Sequence, residues 1–379
     1  MKMHHAPRAA HFAPTRSRAN FSVVPAPVPP AERAITVVRP AVVALLLAVA
    51  SGPAACGPPE TDGWHVVHAE LPGALISIWG TAADNVWAVG GDAQDGKGPT
   101  VLHHDGSGWT RRLTGHEGDL WWVTGFANFP GAPVLAGGAG GQILRYDAAT
   151  DAFTRDVTPA TNTVFGLWGP APDDVWAVGG SGSSGAFAWR HDGTAWRVAE
   201  GLPAGLEVDT SLFKVWGNAA DDVWLVGSGG LALHYDGTAF TRVDVGTTRT
   251  LFTVHTAPDL TVAVGGFGTG VIVEHDSEHE NGTGWRDVTP IGARQTIGVH
   301  VGPVDAWAVG IDAQVLRRTA GGWIAEQTDL PIFSALHAVW ADSDGGVWAV
   351  GGEVLMEPLV DGVLIYRGPN APLANLEER

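Results

Sequence analysis

Apolar residues recur along this chain in short runs that alternate with polar ones and are cut by Gly and by Asp-containing hinges. The clearest instance is LWGPAPDDVWAVG (residues 167–179): an apolar run, a polar hinge and a second apolar run. Close copies are IWGTAADNVWAVG (78–90) and VWGNAADDVWLVG (215–227), and four looser copies keep the same skeleton. A unit of this length cannot bury its apolar face alone, so the copies must stack on one another.

Alignment on the Trp of the WG pair gives Trp79, Thr124, Trp168, Trp216, His255, His300 and Trp340, at spacings of 45, 44, 48, 39, 45 and 40 residues. That is the period of a four-stranded blade, and the short, β-branched, Gly-punctuated runs exclude helical repeats. Strand A ends at the WG pair, as in 212–216. A hinge ending in Asn85, Asp174 or Asp222 leads to strand B, VWAVG. A Gly-rich loop precedes strand C, as in 231–235. An Asp-Gly pair (Asp105-Gly106, Asp192-Gly193, Asp236-Gly237) then turns the chain into strand D, headed by Trp109, Trp196 or Phe240. Asp-Gly suits a two-residue hairpin in which both residues take positive φ. The last unit has A (336–340), B (347–351) and C (363–366) but no D, and residues 62–67, DGWHVV, match the missing turn and strand. The sequence therefore predicts an all-β chain forming a single seven-bladed β-propeller whose N-terminal strand closes the last blade, which leaves no open edge in the ring. Trp87, Trp176, Trp224, Trp307 and Trp348 share one position of strand B and are expected to fill the walls between blades.

The repeated WG–hinge–VWAVG–HYDG–W unit resembles repeats in bacterial exported propeller proteins, broadly akin to kelch-type and photosystem-assembly-factor-type propellers. The resemblance spans 62–368 and implies an exported scaffold or binding protein. It implies no particular ligand, because function varies widely on this fold.

Composition changes the picture at the N-terminus. Residues 1–56 carry six basic residues and one acid, Glu32, and contain AVVALLLAVA followed by SGPAAC. A basic region, a short apolar core and small residues before Cys56 read as an export signal, with a core too short to span a bilayer as a mature helix. Cys56 is the only cysteine. Its place after Ala54-Ala55 resembles the bacterial lipobox, with Pro53 where that pattern prefers an aliphatic residue, and it marks Cys56 as the lipid-attachment site. Gly57 in place of Asp favours the outer membrane. The expected organisation is signal 1–56, tether 57–61, propeller 62–368 and tail 369–379. Removing the signal takes six of 22 basic and one of 40 acidic residues, leaving 16 against 39, a balance of −23. So acidic a surface repels phosphate backbones and excludes nucleic acid as a partner. A protein or a glycan of the cell envelope fits better, with the membrane met only through the lipid anchor and the chain acting as a monomer.

The candidate chemistry is sparse. Residues 180–185 match G-x-G-x-x-G, but AFAWRHDG follows as a strand where a phosphate site needs a helix. Asp342, Asp344 and Glu353 have EF-hand-like spacing with Val347 where Gly is required. His255 and His300 take the anchor position in successive blades, and two histidines without a third ligand are a structural pair more readily than a zinc site. No catalytic residue, metal site or cofactor is assigned. Ligands of propellers meet the face built by the D–A and B–C loops, which vary most here at 92–99, 116–119, 200–210 and 353–361. The polar candidates on those loops are Asp92, Asp95, His116, Glu117, Asp209, Arg249 and Arg294. The leading expectation is non-catalytic binding on that face. The alternative is a propeller glycoside hydrolase or polysaccharide lyase using carboxylates at the channel mouth.

Overall fold

The computed structural model describes residues 63–379 except 182–183, 207, 277–283, 303–304, 370–371 and 373. Cys56, the signal and the tether lie outside the described residues. Among the described residues there is no α-helix, only two three-residue 3-10 turns at Ala139–Gly141 and Ser228–Gly230.

Seven antiparallel sheets follow one another along the chain. Their first strands, A, are Leu75–Ala82, Leu120–Thr124, Val164–Ala171, Leu212–Ala219, Leu251–Ala257, Thr296–Val301 and Ala335–Ala341, for blades 1 to 7. Each A strand neighbours the next and the seventh returns to the first, so the A strands line the axis of a closed ring. Blade 7 has A, then B (Val347–Glu353) and C (Val360–Arg367), and its outer strand is Trp64–Gly73 from the other end of the chain. Trp64 pairs with Arg367 and Gly73 with Val360, so the expected closure is present, over ten residues.

The strand-B tryptophans form the walls between blades. Each meets an aromatic residue of the following blade: Trp176 meets Phe240 at 5.6 Å, Trp224 meets Trp285 at 5.1 Å, Trp307 meets Trp64 at 6.0 Å and Trp348 meets Trp109 at 5.8 Å, all edge to face. Trp87 meets Tyr146 of blade 2 at 4.7 Å. The WG pair has its own geometry. A Cβ on Gly80, Gly125 or Gly217 would fall 2.7, 2.3 or 2.6 Å from the ring of Trp340, Trp79 or Trp168, the anchor Trp of the preceding blade. Glycine is required there because an indole covers its Cα. In blade 5 Thr256 replaces the glycine, and Trp216 instead stacks on His255 at 4.1 Å, with His300 at 4.5 Å beyond it.

Two local features differ from the expected pattern. In the three Asp-Gly turns Gly106, Gly193 and Gly237 take positive φ (86, 84 and 88°), but the Asp, one residue past the end of its strand, does not. The Asp side chain accepts N–H bonds from the residue two further on, as Asp105 does from Ser107 and Asp236 from Thr238. Aspartate thus holds the turn by its carboxylate as well as by its own N–H, which donates to the carbonyl three residues on. Within residues 369–379, Leu376–Glu378 forms a fifth strand of blade 1, parallel to Trp109–Arg111. Glu378 pairs with Lys97 at 2.8 Å, which ties this strand to the B–C loop of blade 1.

Candidate functional site

All seven A strands carry the same irregularity. Pairing with strand B skips one A residue between Leu75 and Ser77, Leu120 and Trp122, Val164 and Gly166, Leu212 and Lys214, Leu251 and Thr253, Thr296 and Gly298, and Leu336 and Ala338. The skipped residues are Ile76, Trp121, Phe165, Phe213, Phe252, Ile297 and His337. A β-bulge adds one residue against a single partner and re-aims a side chain. Here the same position is re-aimed in every blade, and it lies on the strands that line the axis.

Six of these seven residues, Ile76 excepted, line one cavity of about 340 Å³. Trp121, Phe165, Phe213 and Phe252 form an arc of successive contacts at 5.4, 5.5 and 5.8 Å. Phe252 meets Phe267, from the B–C loop of blade 5, edge to face at 5.1 Å. Gln295, Val354 and Leu355 complete the wall from D–A and B–C loops, so the cavity lies at the loop face where a ligand site was expected. Of the lining residues Phe267 is 72% and Leu355 59% exposed, which gives the mouth an apolar rim, and Met356, next in the chain, is exposed as well.

The bulges also leave carbonyls outside the ladder, and side chains of neighbouring blades satisfy three of them. His337 Nδ1 lies 2.7 Å from the Ile76 carbonyl, Lys214 Nζ donates to the Phe165 carbonyl at 3.1 Å, and Thr253 Oγ1 donates to the Ile297 carbonyl at 2.7 Å. A carbonyl only accepts, so His337 carries its proton on Nδ1 and keeps Nε2 as an acceptor. Burial, with Lys214 adding to it, pulls the His337 pKa down to about 4. Lys214 is 4% exposed, its Nζ stands 3.4 Å from the centre of the Trp122 ring, and burial pushes its pKa well below the ordinary lysine value.

None of the residues singled out on the loops lines this cavity. Asp92 accepts from the Gln94 and Gly118 amides, and its own amide donates to Asp119. Asp95 accepts from Lys97 N–H and pairs with buried Arg111 at 3.1 Å. Backbone atoms of His116 bond the Thr114 hydroxyl, and the Glu117 carbonyl accepts from Gln142. Arg249 caps the carbonyls of Thr269 and Gly270, Arg294 pairs with exposed Asp312 at 2.8 Å, and Asp209 is an exposed loop residue with φ 66°. Asp92, Asp95, His116 and Glu117 lie on the adjoining loops 92–99 and 116–119, joined by the Gly118 N–H bond to Asp92, while Arg249 and Arg294 both meet Thr269 on the B–C loop of blade 5. Asp119 has a raised pKa, mainly from burial, with Glu357 and Asp92 adding charge repulsion. The cavity aromatics carried a sequence signal after all: each stands three residues before its blade's anchor position.

These features define a class: a closed seven-bladed β-propeller with an aromatic cavity at one end of its axis. No protein-family model and no curated protein matches the chain. Among solved structures it is similar to "YCF48 bound to D1 peptide", with 13% identity, a TM-score of 0.60, and 82% of this chain and 98% of that one covered. It is also similar to the WD40 β-propeller domain of Doa1, with 13% identity, a TM-score of 0.59, and 80% and 97% covered. A third similar structure is a catalytically inactive virginiamycin B lyase from Staphylococcus aureus with quinupristin, with 12% identity, a TM-score of 0.62, and 80% and 99% covered. At such identities the likeness concerns the fold, which serves both binding proteins and a lyase.

Proposed function

We propose that this is a non-catalytic binding propeller of the cell envelope, exported and anchored through Cys56, that receives a protein on its D–A and B–C loop face. The observation that carries the reading is the apolar mouth: Phe267 and Leu355 stand exposed at a cavity walled by Trp121, Phe165, Phe213 and Phe252, and exposed Met356 follows Leu355 in the chain. Exposed aromatic and Met side chains around a concave apolar site are typical anchors for protein contacts. A peptide-bound neighbour of the same fold is consistent with such a partner. Aromatic faces also stack sugars, so a glycan is the variant of this reading. The protein should be used as bait against envelope extract and on a glycan array, beside Phe267→Asp and Cys56→Ser. The reading expects a partner held by the wild type and by Cys56→Ser, and lost at least tenfold with Phe267→Asp. Capture unaffected by Phe267→Asp would remove the mouth from the account. Labelled fatty acid on the wild type but not on Cys56→Ser is the result expected of the anchor.

One observation favours the hydrolase or lyase reading, namely the Asp92, Asp119 and Glu357 carboxylates, with burial raising the pKa of Asp119. Against it, neither Asp nor Glu lines the axial cavity. Activity on envelope polysaccharides that disappears in Asp119→Asn is the result that would establish it.

A further inference from the structure

The axial cavity is lined by one lysine amine and no carboxylate. Lys214 and His337 are the titratable residues in its lining, and no carboxylate is among them. Among the described residues no carboxylate pairs with Lys214. Its Nζ has one hydrogen bond, to the Phe165 carbonyl, and one π face, Trp122. An ammonium has three donors, and one buried in an apolar wall with a single acceptor is undersatisfied. A ligand that brings an apolar ring and one carboxylate supplies both things this wall can use. The ring meets edges and faces of the aromatic arc, and the carboxylate offers the charge-assisted acceptor that Lys214 lacks.

We infer that the axial cavity binds a small aromatic monocarboxylate, its ring among Trp121, Phe165, Phe213 and Phe252 and its carboxylate on Lys214. The cavity of about 340 Å³ lies in the range of small-molecule sites. A second carboxylate would meet His337 Nε2, an acceptor, so a monoanion fits and a dianion does not. This goes beyond the loop-face partner and does not depend on it. Burial disfavours the charged amine in the free protein. An incoming carboxylate counters that penalty by favouring the charged amine.

The test is calorimetric titration of the purified protein with 2-naphthoate, 2-naphthalenemethanol and 2-naphthylmethylamine. Naphthoate is expected to bind at least tenfold tighter than the alcohol, while the ammonium compound binds worst. Lys214→Arg is expected to keep the carboxylate preference. Lys214→Met is expected to bind alcohol and carboxylate alike, and alcohol binding by that variant shows that the cavity survives loss of the Phe165 cap. Equal affinities in the wild type, absence of binding by all three, or a carboxylate preference surviving in Lys214→Met would overturn the inference. No envelope partner enters these titrations, so failure here is separate from failure of partner capture.

Discussion

His337 shows how much one residue does at the axis. Its bulge aims the ring into the cavity, its Nδ1–H caps the Ile76 carbonyl of blade 1, and burial keeps it neutral with a pKa of about 4. His300, next to His255 toward the other end of the A strands, is likewise held at about 4 by burial. Both values lie below the unfolded value of about 6.5, so between these pH values the unfolded chain binds more protons than the folded one. The stability they contribute is complete above about pH 6.5 and is lost as pH falls toward 4, at most about 3 kcal/mol apiece. Thermal melting at pH 7.5, 6, 5 and 4.5 should show a falling Tm, with a smaller fall in His337→Gln. A Tm flat from pH 7 to 4.5 would contradict the placement of these rings.

At the scale of strands, the WG pair and the strand-B Trp explain how neighbouring blades fit. Trp176 is 2% exposed and packs on Phe240 and Tyr235 of the next blade. Trp176→Ala is expected to cost about 3–5 kcal/mol in denaturant unfolding. Gly217→Ala would place a Cβ 2.6 Å from the Trp168 ring and 2.5 Å from the Asp222 carbonyl, with an expected loss of about 1–3 kcal/mol. Near-neutral behaviour of Gly217→Ala would mean that the indole does not cover that Cα. The strands themselves were legible in the sequence, because apolar alternation and Asp-Gly turns survive in nearly every unit. The bulges were not. A bulge adds a residue without altering the apolar character of the run, so Phe213 reads as one more core aromatic in LFKVW. Only its offset, shared with Trp121, Phe165 and Phe252, sets it apart. The loop carboxylates and arginines were legible as polar and exposed in kind, but partners distant in sequence, such as the Thr269 carbonyl for Arg249, are named by no local pattern.

Across the whole molecule, closure joins the two ends of the chain. The strand Trp64–Gly73 completes blade 7 and places Trp64 against Trp307, while Leu376–Glu378 covers the outer edge of blade 1. Deleting residues 63–73 uncovers a full strand edge and empties one inter-blade wall. The expected outcome is loss of a single cooperative melting transition, whereas deleting 375–379 should lower Tm only modestly. A chain lacking 63–73 that still melts cooperatively at the wild-type temperature would contradict ring closure as a source of stability. The seven bulges are a property of the ring as well, because only a closed circle of A strands turns the re-aimed residues of six blades into one walled cavity. The most direct test of that claim is Ile297→Trp, which sets at the blade 6 bulge the residue that blade 2 carries as Trp121 and fills the cavity from a strand, with the loop sequences unchanged. The account expects unchanged cooperative folding, with at least a tenfold loss of both naphthoate binding and envelope-partner capture. Wild-type binding of both by a folded Ile297→Trp protein would show that the axis is not the site.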